Sequence, residues 1–302
     1  MSLVVTGGAG FIGRTLVSTL VVRGEHVVSV DRAPVRPRAG VTVITADLLA
    51  DDERVAAALA AADAVFHLAG CPGVRDGGVD VAARRHRDNV LATARVLHTV
   101  PLRTPVLVAS SSSIYGGSLG RPSTETDPLR PRGGYALSKA RAEHLCARRA
   151  AAGGEVVVVR PFTVAGEGQR PDMALAQWIA AAAEGRPLCV LGSPKRSRDV
   201  TDVRQAAQAF VALVERGARG VVNVGTGVAH RLGDLVDAVA VALDRDVRTC
   251  VVPADPADVS ATLADTRLLR RLTGFVPETD LPALVARQVA ASGLARPLEL
   301  AT

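Results

Sequence analysis

The chain has 302 residues, just past the size at which one hydrophobic core usually stops growing, so one large or two unequal domains are expected. Apolar residues make up 48% of it, too many for a disordered chain, and no run of about 18 apolar residues marks a transmembrane helix. A net charge of +6 would suit nucleic acid, but arginine is spread along the chain and aromatics are only 3%. Stacking platforms are therefore scarce, no nucleic-acid or membrane partner is expected, and small substrates carrying phosphates account for the charge equally well.

The opening stretch MSLVVTGGAGFIG has no basic segment ahead of its apolar run, and glycines stand where a cleavage site would fall. It reads as a first strand, Leu3–Thr6, rather than a signal peptide. A helix from about Ile12 to Val22 follows, stopped by Gly24, and a second strand, Val27–Val30, ends at Asp31. Val41–Ile44, Ala64–Leu68, Val106–Ser110 and Val156–Arg160 continue the strands, with helices near Glu53–Ala61, Asp88–Val100 and Tyr135–Ala151 between them. Short β-branched runs without alternation mean strands covered on both faces. The pattern predicts an α/β fold with a doubly wound parallel (Rossmann) sheet.

After Pro161 the segments shorten and Gly/Pro stretches interrupt them. Helices are expected at Met173–Glu184, Val203–Glu215, Leu232–Leu243 and Pro282–Ala291, and strands at Leu188–Leu191, Val221–Val224 and Thr249–Val252. Residues 1–160 read as the dinucleotide-binding domain and 161–302 as mainly a smaller C-terminal substrate-binding domain, with chain around 200–225 returning to the first sheet. The four cysteines, Cys71, Cys146, Cys189 and Cys250, lie far apart with no C-x-x-C. That spacing argues against a zinc site and a disulfide framework and suits a reducing, cytoplasmic location. The six histidines are equally scattered, and no metal is expected.

Gly7, Gly10 and Gly13 lie between the first strand and first helix, with Phe11 and Ile12 opening that helix. Such a turn lets backbone N–H groups approach a pyrophosphate at the positive end of the helix. Asp31 ends the second strand about 20 residues on, where a carboxylate holds both ribose hydroxyls of NAD. Arg32 beside it is a group that meets the 2′-phosphate of NADP, so NAD is preferred and NADP is the alternative. Asp47, after the third strand, fits a position facing the adenine amino group, with Leu48 next to it.

Lysine and tyrosine are nearly absent: only Lys139, Lys195, Tyr115 and Tyr135 occur. Two of these four form Tyr135-Ala-Leu-Ser-Lys139, which puts both side chains on one helix face. An ammonium nearby favours the phenolate, so Tyr135 is the candidate proton acceptor, and Lys139 can also hold the nicotinamide ribose. The run Ser110–Ser113 follows a strand and would hydrogen-bond the reacting oxygen.

TGGAGFIG, Asp31, His67-Leu-Ala-Gly70, Asn89, SSSSIYG and YALSK together resemble the extended short-chain dehydrogenases of the NAD-dependent epimerase/dehydratase family. Arg160-Pro-Phe-Thr-Val-Ala-Gly166, Gly168–Ala174, Arg198–Val203 and Asn223–Gly227 extend the resemblance over essentially the whole chain. It implies Ser111, Tyr135 and Lys139 as catalytic residues, and Leu68, Ala69 and Gly70 as a loop beneath the dinucleotide. It also implies Arg198 at the phosphates of a nucleotide-diphosphate sugar, and Thr163 and Arg170 at a sugar carboxylate. Ser112 and Ser113 stand at the substrate, where related dehydratases carry an Asp-Glu pair and decarboxylases need a glutamate, which disfavours both reactions. The resemblance further implies a homodimer packed through the Asp88–Val100 and Tyr135–Ala151 helices. A nucleotide-sugar C4-epimerase working through a 4-keto intermediate is the leading expectation, and an NAD(P)H-dependent 4-ketoreductase is the alternative. A sensor that has lost catalysis is disfavoured by the Tyr-Lys pair, and a steroid or polyketide dehydrogenase by Arg198 and the Gln169–Ala174 segment.

Overall fold

The computed structural model describes residues 2–73, 78–255 and 257–294. The first half alternates strand and helix as its apolar runs dictate: β1 (Ser2–Thr6), α1 (Phe11–Val22), β2 (His26–Asp31), β3 (Val41–Thr45), α2 (Glu53–Ala60) and β4 (Ala64–His67). Next come α3 (Val81–Arg85), a π-helical turn (His86–Leu91), α4 (Ala92–Thr99), β5 (Val106–Ala109), a 3-10 turn (Ser112–Tyr115), α5 (Gly133–Ala151) and β6 (Val156–Pro161). The second half contains β7 (Thr163–Ala165), α6 (Ala174–Ala183), β8 (Leu188–Leu191), β9 (Ser197–Asp202), α7 (Val203–Glu215) and β10 (Gly220–Val224). It ends with β11 (Ala229–Arg231), α8 (Leu232–Leu243), β12 (Thr249–Val252), α9 (Arg267–Thr273) and α10 (Leu281–Ser292).

Seven strands form one sheet in the order β10-β6-β5-β4-β1-β2-β3, and every pairing in it is parallel. Successive residues of a strand face opposite sides. Leu3 and Val5 of β1 accordingly pack with α1 and α7, while Val4 packs with α2 and α4. β6 divides the same way, Val157 and Val159 to one layer, Val156 and Val158 to the other. Both faces are apolar because both are covered, which is why the strands show no polar alternation. The order of strands reverses between β1 and β4, and the carboxyl ends there form the crevice at which such sheets bind ligands. A separate apolar core joins α6, α8 and α10 around Trp178, Ile179, Leu235, Val239 and Leu284.

Three features depart from expectation. The helix expected from Asp88 begins at Val81 and passes through the π turn before α4. A π turn takes in one extra residue, rotating the following side chains by about 100°, which hid its period in the sequence. The charged segment Ser197–Asp202, for which the sequence pattern predicts no element, is the central strand of a three-stranded sheet, β11-β9-β7. Its Asp199 is fully buried and accepts from Thr226 N, Thr226 Oγ1, Gly227 N and Ala264 N at 2.8–3.0 Å. Those bonds join the Arg198–Val203 and Asn223–Gly227 segments into one structural unit, although burial still pushes the Asp199 carboxyl up from its ordinary value.

Third, Cys189 and Cys250 are disulfide-bonded across 61 residues of sequence. This corrects the expectation drawn from cysteine spacing. β8 and β12 pair in parallel with Cys189 opposite Cys250, a juxtaposition that only tertiary pairing creates. The argument from cysteine usage for a reducing compartment falls with it. No helix among the described residues is long and apolar enough to cross a membrane.

Candidate active site

β1 delivers the chain into the turn at Gly7–Gly13. Gly7 has φ +76°, and a Cβ on it would lie 2.6 Å from Ala69 N, so the turn presses directly on the loop after β4. A Cβ on Gly13 would lie 2.0 Å from Gly7 O; only glycine lets α1 start this close to the turn. Gly10 caps α1 without a side-chain hydrogen bond, and the first bond back to it comes from Arg14 N, 3.0 Å. The N–H groups of Phe11, Ile12 and Gly13 therefore face out of the helix end, as a pyrophosphate requires. Asp31 sits beside them, accepting from Ala9 N at 3.0 Å and Ala33 N at 2.9 Å. Leu48 is buried in the layer of α2 and α4, and Asp47 accepts from Leu49 N at 2.9 Å and Arg87 Nη2 at 2.7 Å.

Across the switch point, Leu68 N donates to Thr6 O, 3.0 Å, continuing the β1–β4 ladder into the Leu68–Gly70 loop. His67, just before it, lies between Thr6 Oγ1 at 2.7 Å and Thr93 Oγ1 at 3.0 Å. Burial, then Lys139, pushes its imidazole down to about 3, so it is a neutral tie between layers. Asn89 in the π turn accepts from Cys71 N at 2.8 Å and donates to Cys71 O at 3.0 Å and Ser138 Oγ at 2.8 Å. That amide clamps the loop to α5. Gly70 is needed there, since a Cβ would lie 2.5 Å from Asn89 Oδ1 and 3.4 Å from Lys139 Nζ.

α5 carries Tyr135 and Lys139 on its inner face. Tyr135 is half-buried, and the Ser111 hydroxyl acts on its phenol. Burial pushes the phenol up, while the Ser111 hydroxyl and the Arg170 and Arg85 guanidiniums pull it back. Lys139 is buried, and its Nζ donates to Ala109 O at the end of β5, 2.9 Å. Arg170 and Arg85 are thus cations that act on the phenol in addition to the ammonium read from the sequence. Ser111 Oγ accepts from Ser113 N, 3.1 Å, while the buried hydroxyls of Ser110 and Ser113 have no hydrogen-bond partner among the described residues. Ser112 and Ser113 open the 3-10 turn that ends at Tyr115.

Burial holds the Lys139 amine near 8, against an ordinary 10.5. Between those values the unfolded chain keeps a proton that the folded chain has released, so stability rises with pH through the window. Relative to Lys139→Met, the unmodified protein is expected to gain about 3 kcal/mol across it, read from denaturation midpoints on either side.

From the second half, Arg170 reaches the electrostatic field of Tyr135 while pairing with Asp172 at 2.7 Å. Thr163 is half-buried at the start of β7, in register with Val200 of β9. Arg198, on β9, donates to Ser197 O at 2.8 Å. Two residues went unread in the sequence. Arg85 is buried, donates to Gly73 O at 2.5 Å, and lies beside Gly134, next to Tyr135. Arg14, in the first turn of α1, extends against Gly168 and links the glycine turn to the segment bearing Arg170. Arg85 lies in the basic run Arg84–Arg87, ahead of the π turn.

A doubly wound parallel sheet with a glycine turn at its switch point defines a nucleotide-binding α/β protein. The chain belongs to the NAD dependent epimerase/dehydratase family, whose model matches residues 3–225. It is 31% identical to a probable UDP-glucuronate 4-epimerase of Rhizobium meliloti (strain 1021), over 96% of each chain. It also resembles the crystal structure of UDP-glucuronic acid 4-epimerase from Bacillus cereus in complex with UDP-glucuronic acid and NAD. There the TM-score is 0.89 at 26% identity, covering 96% of this chain and 98% of the other. MoeE5 in complex with UDP-glucose and NAD is similar too, with TM-score 0.88, 36% identity, and coverage of 97% and 99%.

Proposed function

We propose that this chain is an NAD-dependent 4-epimerase of UDP-sugars, with a hexuronate as the favoured sugar. The observation that carries the reading is the docking of α5, which bears Tyr135 and Lys139, on the end of β5, where Lys139 Nζ donates to Ala109 O two residues before Ser111. Likeness to 4-epimerases over nearly the whole length supports it. In this reading the amides of Gly10–Gly13 hold the pyrophosphate, with Gly7 shaping the turn. Asp31 takes the adenosine ribose, Asp47 and Leu48 flank the adenine, and Leu68, Ala69 and Gly70 form the floor. NAD, when bound, accepts the hydride from sugar C4 and returns it to the opposite face of the turned sugar.

Tyr135 Oη takes the proton from the C4 hydroxyl and gives it back, with Ser111 Oγ orienting the same oxygen. Lys139, within reach of Gly70 and Ala109, holds the nicotinamide ribose. Ser112, Ser113, Thr163 and Arg170 hold the sugar and its carboxylate, and Arg198 the diphosphate. The Ser113 hydroxyl, buried without a protein partner, is suited to a substrate oxygen. Leu91 and Leu137 are 44% and 43% exposed on the π turn and α5, and we infer that a second copy of the chain covers them in a homodimer.

Freshly purified protein is expected to release near-stoichiometric NAD on denaturation, identified by mass spectrometry. It is also expected to interconvert UDP-glucuronate with its C4 epimer without added dinucleotide. An empty site, with turnover only of 4-keto sugars and added NADH or NADPH, would sink the epimerase reading in favour of a 4-ketoreductase.

A further inference from the structure

The residue after Asp31 is an arginine, the side chain that in this fold accommodates the 2′-phosphate of NADP. Here it is turned to other partners. Arg32 Nη2 donates to Asp88 Oδ2 at 2.9 Å, and its Nη1 lies 3.8 Å from Asp47 Oδ2. Asp88 is held in turn by Arg87 Nη1 at 2.8 Å, and Arg87 Nη2 reaches Asp47 at 2.7 Å. Arg32, Asp88, Arg87 and Asp47 therefore close a ring of alternating charge at the rim of the adenosine end of the crevice.

The π turn builds this ring. It presents the consecutive residues Arg87 and Asp88 toward β2 and the chain after β3. The Asp88 side chain is only 12% exposed, whereas Arg32 is 57% exposed. Asp88 is thus the fixed member and Arg32 the one that would move. Burial works to raise the Asp47 carboxyl, but the Leu49 amide, Arg87 and Arg32 bring it below its ordinary value, so it is ionised at neutral pH. With Asp31 included, three carboxylates face two guanidiniums, a local charge of −1, which repels a dianionic phosphate.

We propose that Asp88 sets the preference for NAD over NADP by holding Arg32 away from the ribose 2′ position. Asp88 is a positioning residue: it acts on the dinucleotide through Arg32. The proposal rests on the reading of the glycine turn as a dinucleotide site. It predicts an asymmetry between two removals. Deleting Arg32 does not relax discrimination against NADP, because the guanidinium is already engaged and its loss takes the local charge to −2. Deleting the Asp88 charge frees it, shifts the local charge to zero, and lets it meet the phosphate.

The test compares the unmodified full chain with Asp88→Asn, Arg32→Ala and the double variant, each incubated with equimolar NAD and NADP. The dinucleotides retained after gel filtration are released by denaturation and quantified by mass spectrometry. Asp88→Asn is expected to raise the retained NADP:NAD ratio about tenfold, the worth of one charge-assisted contact. Arg32→Ala is expected to retain no more NADP relative to NAD than the unmodified chain, and the double variant to lose the gain. Asp88→Ser provides the same readout should the amide disturb the π turn. An unchanged ratio in both Asp88 variants, or a rise in Arg32→Ala, overturns the proposal, as does an unmodified chain that prefers NADP. Failure of all four proteins to retain either dinucleotide instead refutes the reading of the glycine turn.

Discussion

Tyr135→Phe is expected to lower kcat by about 10²–10⁴-fold while leaving the retained dinucleotide and the fold unchanged. The substitution removes one oxygen and keeps the ring. That oxygen is the only group through which the α5 side chain can take a proton from the sugar. The phenol is pushed up by burial and pulled down by Ser111, Arg170 and Arg85, so its ionisation depends on cations that belong to both halves of the chain. Removing one of them moves the phenol in a defined direction. Arg170 lowers it, so Arg170→Met raises it, and the acidic limb of kcat/KM against pH moves to more alkaline values. KM for a UDP-hexuronate should rise in the same variant and that for UDP-glucose far less, because only the uronate has a carboxylate to lose. A limb that stays in place would show that Arg170 does not act on Tyr135.

Much of this arrangement is readable in the chain itself, for identifiable reasons. Strands of the main sheet are short apolar runs with both faces covered, so composition alone marks them, and the right-handedness of crossovers restricts how they can be ordered. The Gly7–Gly13 turn and the Tyr135–Lys139 spacing are local, and local geometry survives in sequence. What escapes has a common cause in pairing between distant segments. Cys189 meets Cys250 only because β8 and β12 share a register. Ser197–Asp202 forms a strand only because Asp199 finds four backbone and hydroxyl donors from two later segments. Arg85 is buried because a π turn, which has no sequence period of its own, sets the phase of the helix that carries it. The part played by Arg170 and Arg85 went unread for the same reason, since they reach Tyr135 through the tertiary fold and not through helical spacing.

The largest effect on stability is expected at Arg160. Its guanidinium is 4% exposed and forms a two-pronged pair with Glu143, itself 9% exposed, at 3.0 and 2.7 Å. Its remaining nitrogen donates to Tyr115 Oη at 2.8 Å and Glu125 O at 3.1 Å. Tyr115 in turn donates to Asn223 Oδ1 at 2.7 Å, and Asn223 Nδ2 to Ser123 O at 2.8 Å. One buried network therefore ties α5, β6, β10 and the chain that follows the serine run. Arg160→Met strands the Glu143 carboxylate in the interior and is expected to cost about 3–5 kcal/mol, lowering Tm by roughly 10 °C. Glu143→Leu added to it removes the stranded charge, so the double variant should be the more stable of the two, a sign that contact counting alone would not give. Glu143 lies one helical turn beyond Lys139 on α5. A shift of that turn by about 1 Å displaces Lys139, and with it Tyr135, by enough to cost roughly 10²-fold in rate. If the double variant recovers Tm but not kcat, the network sets the position of α5 as well as its stability; recovery of both would confine it to holding the fold.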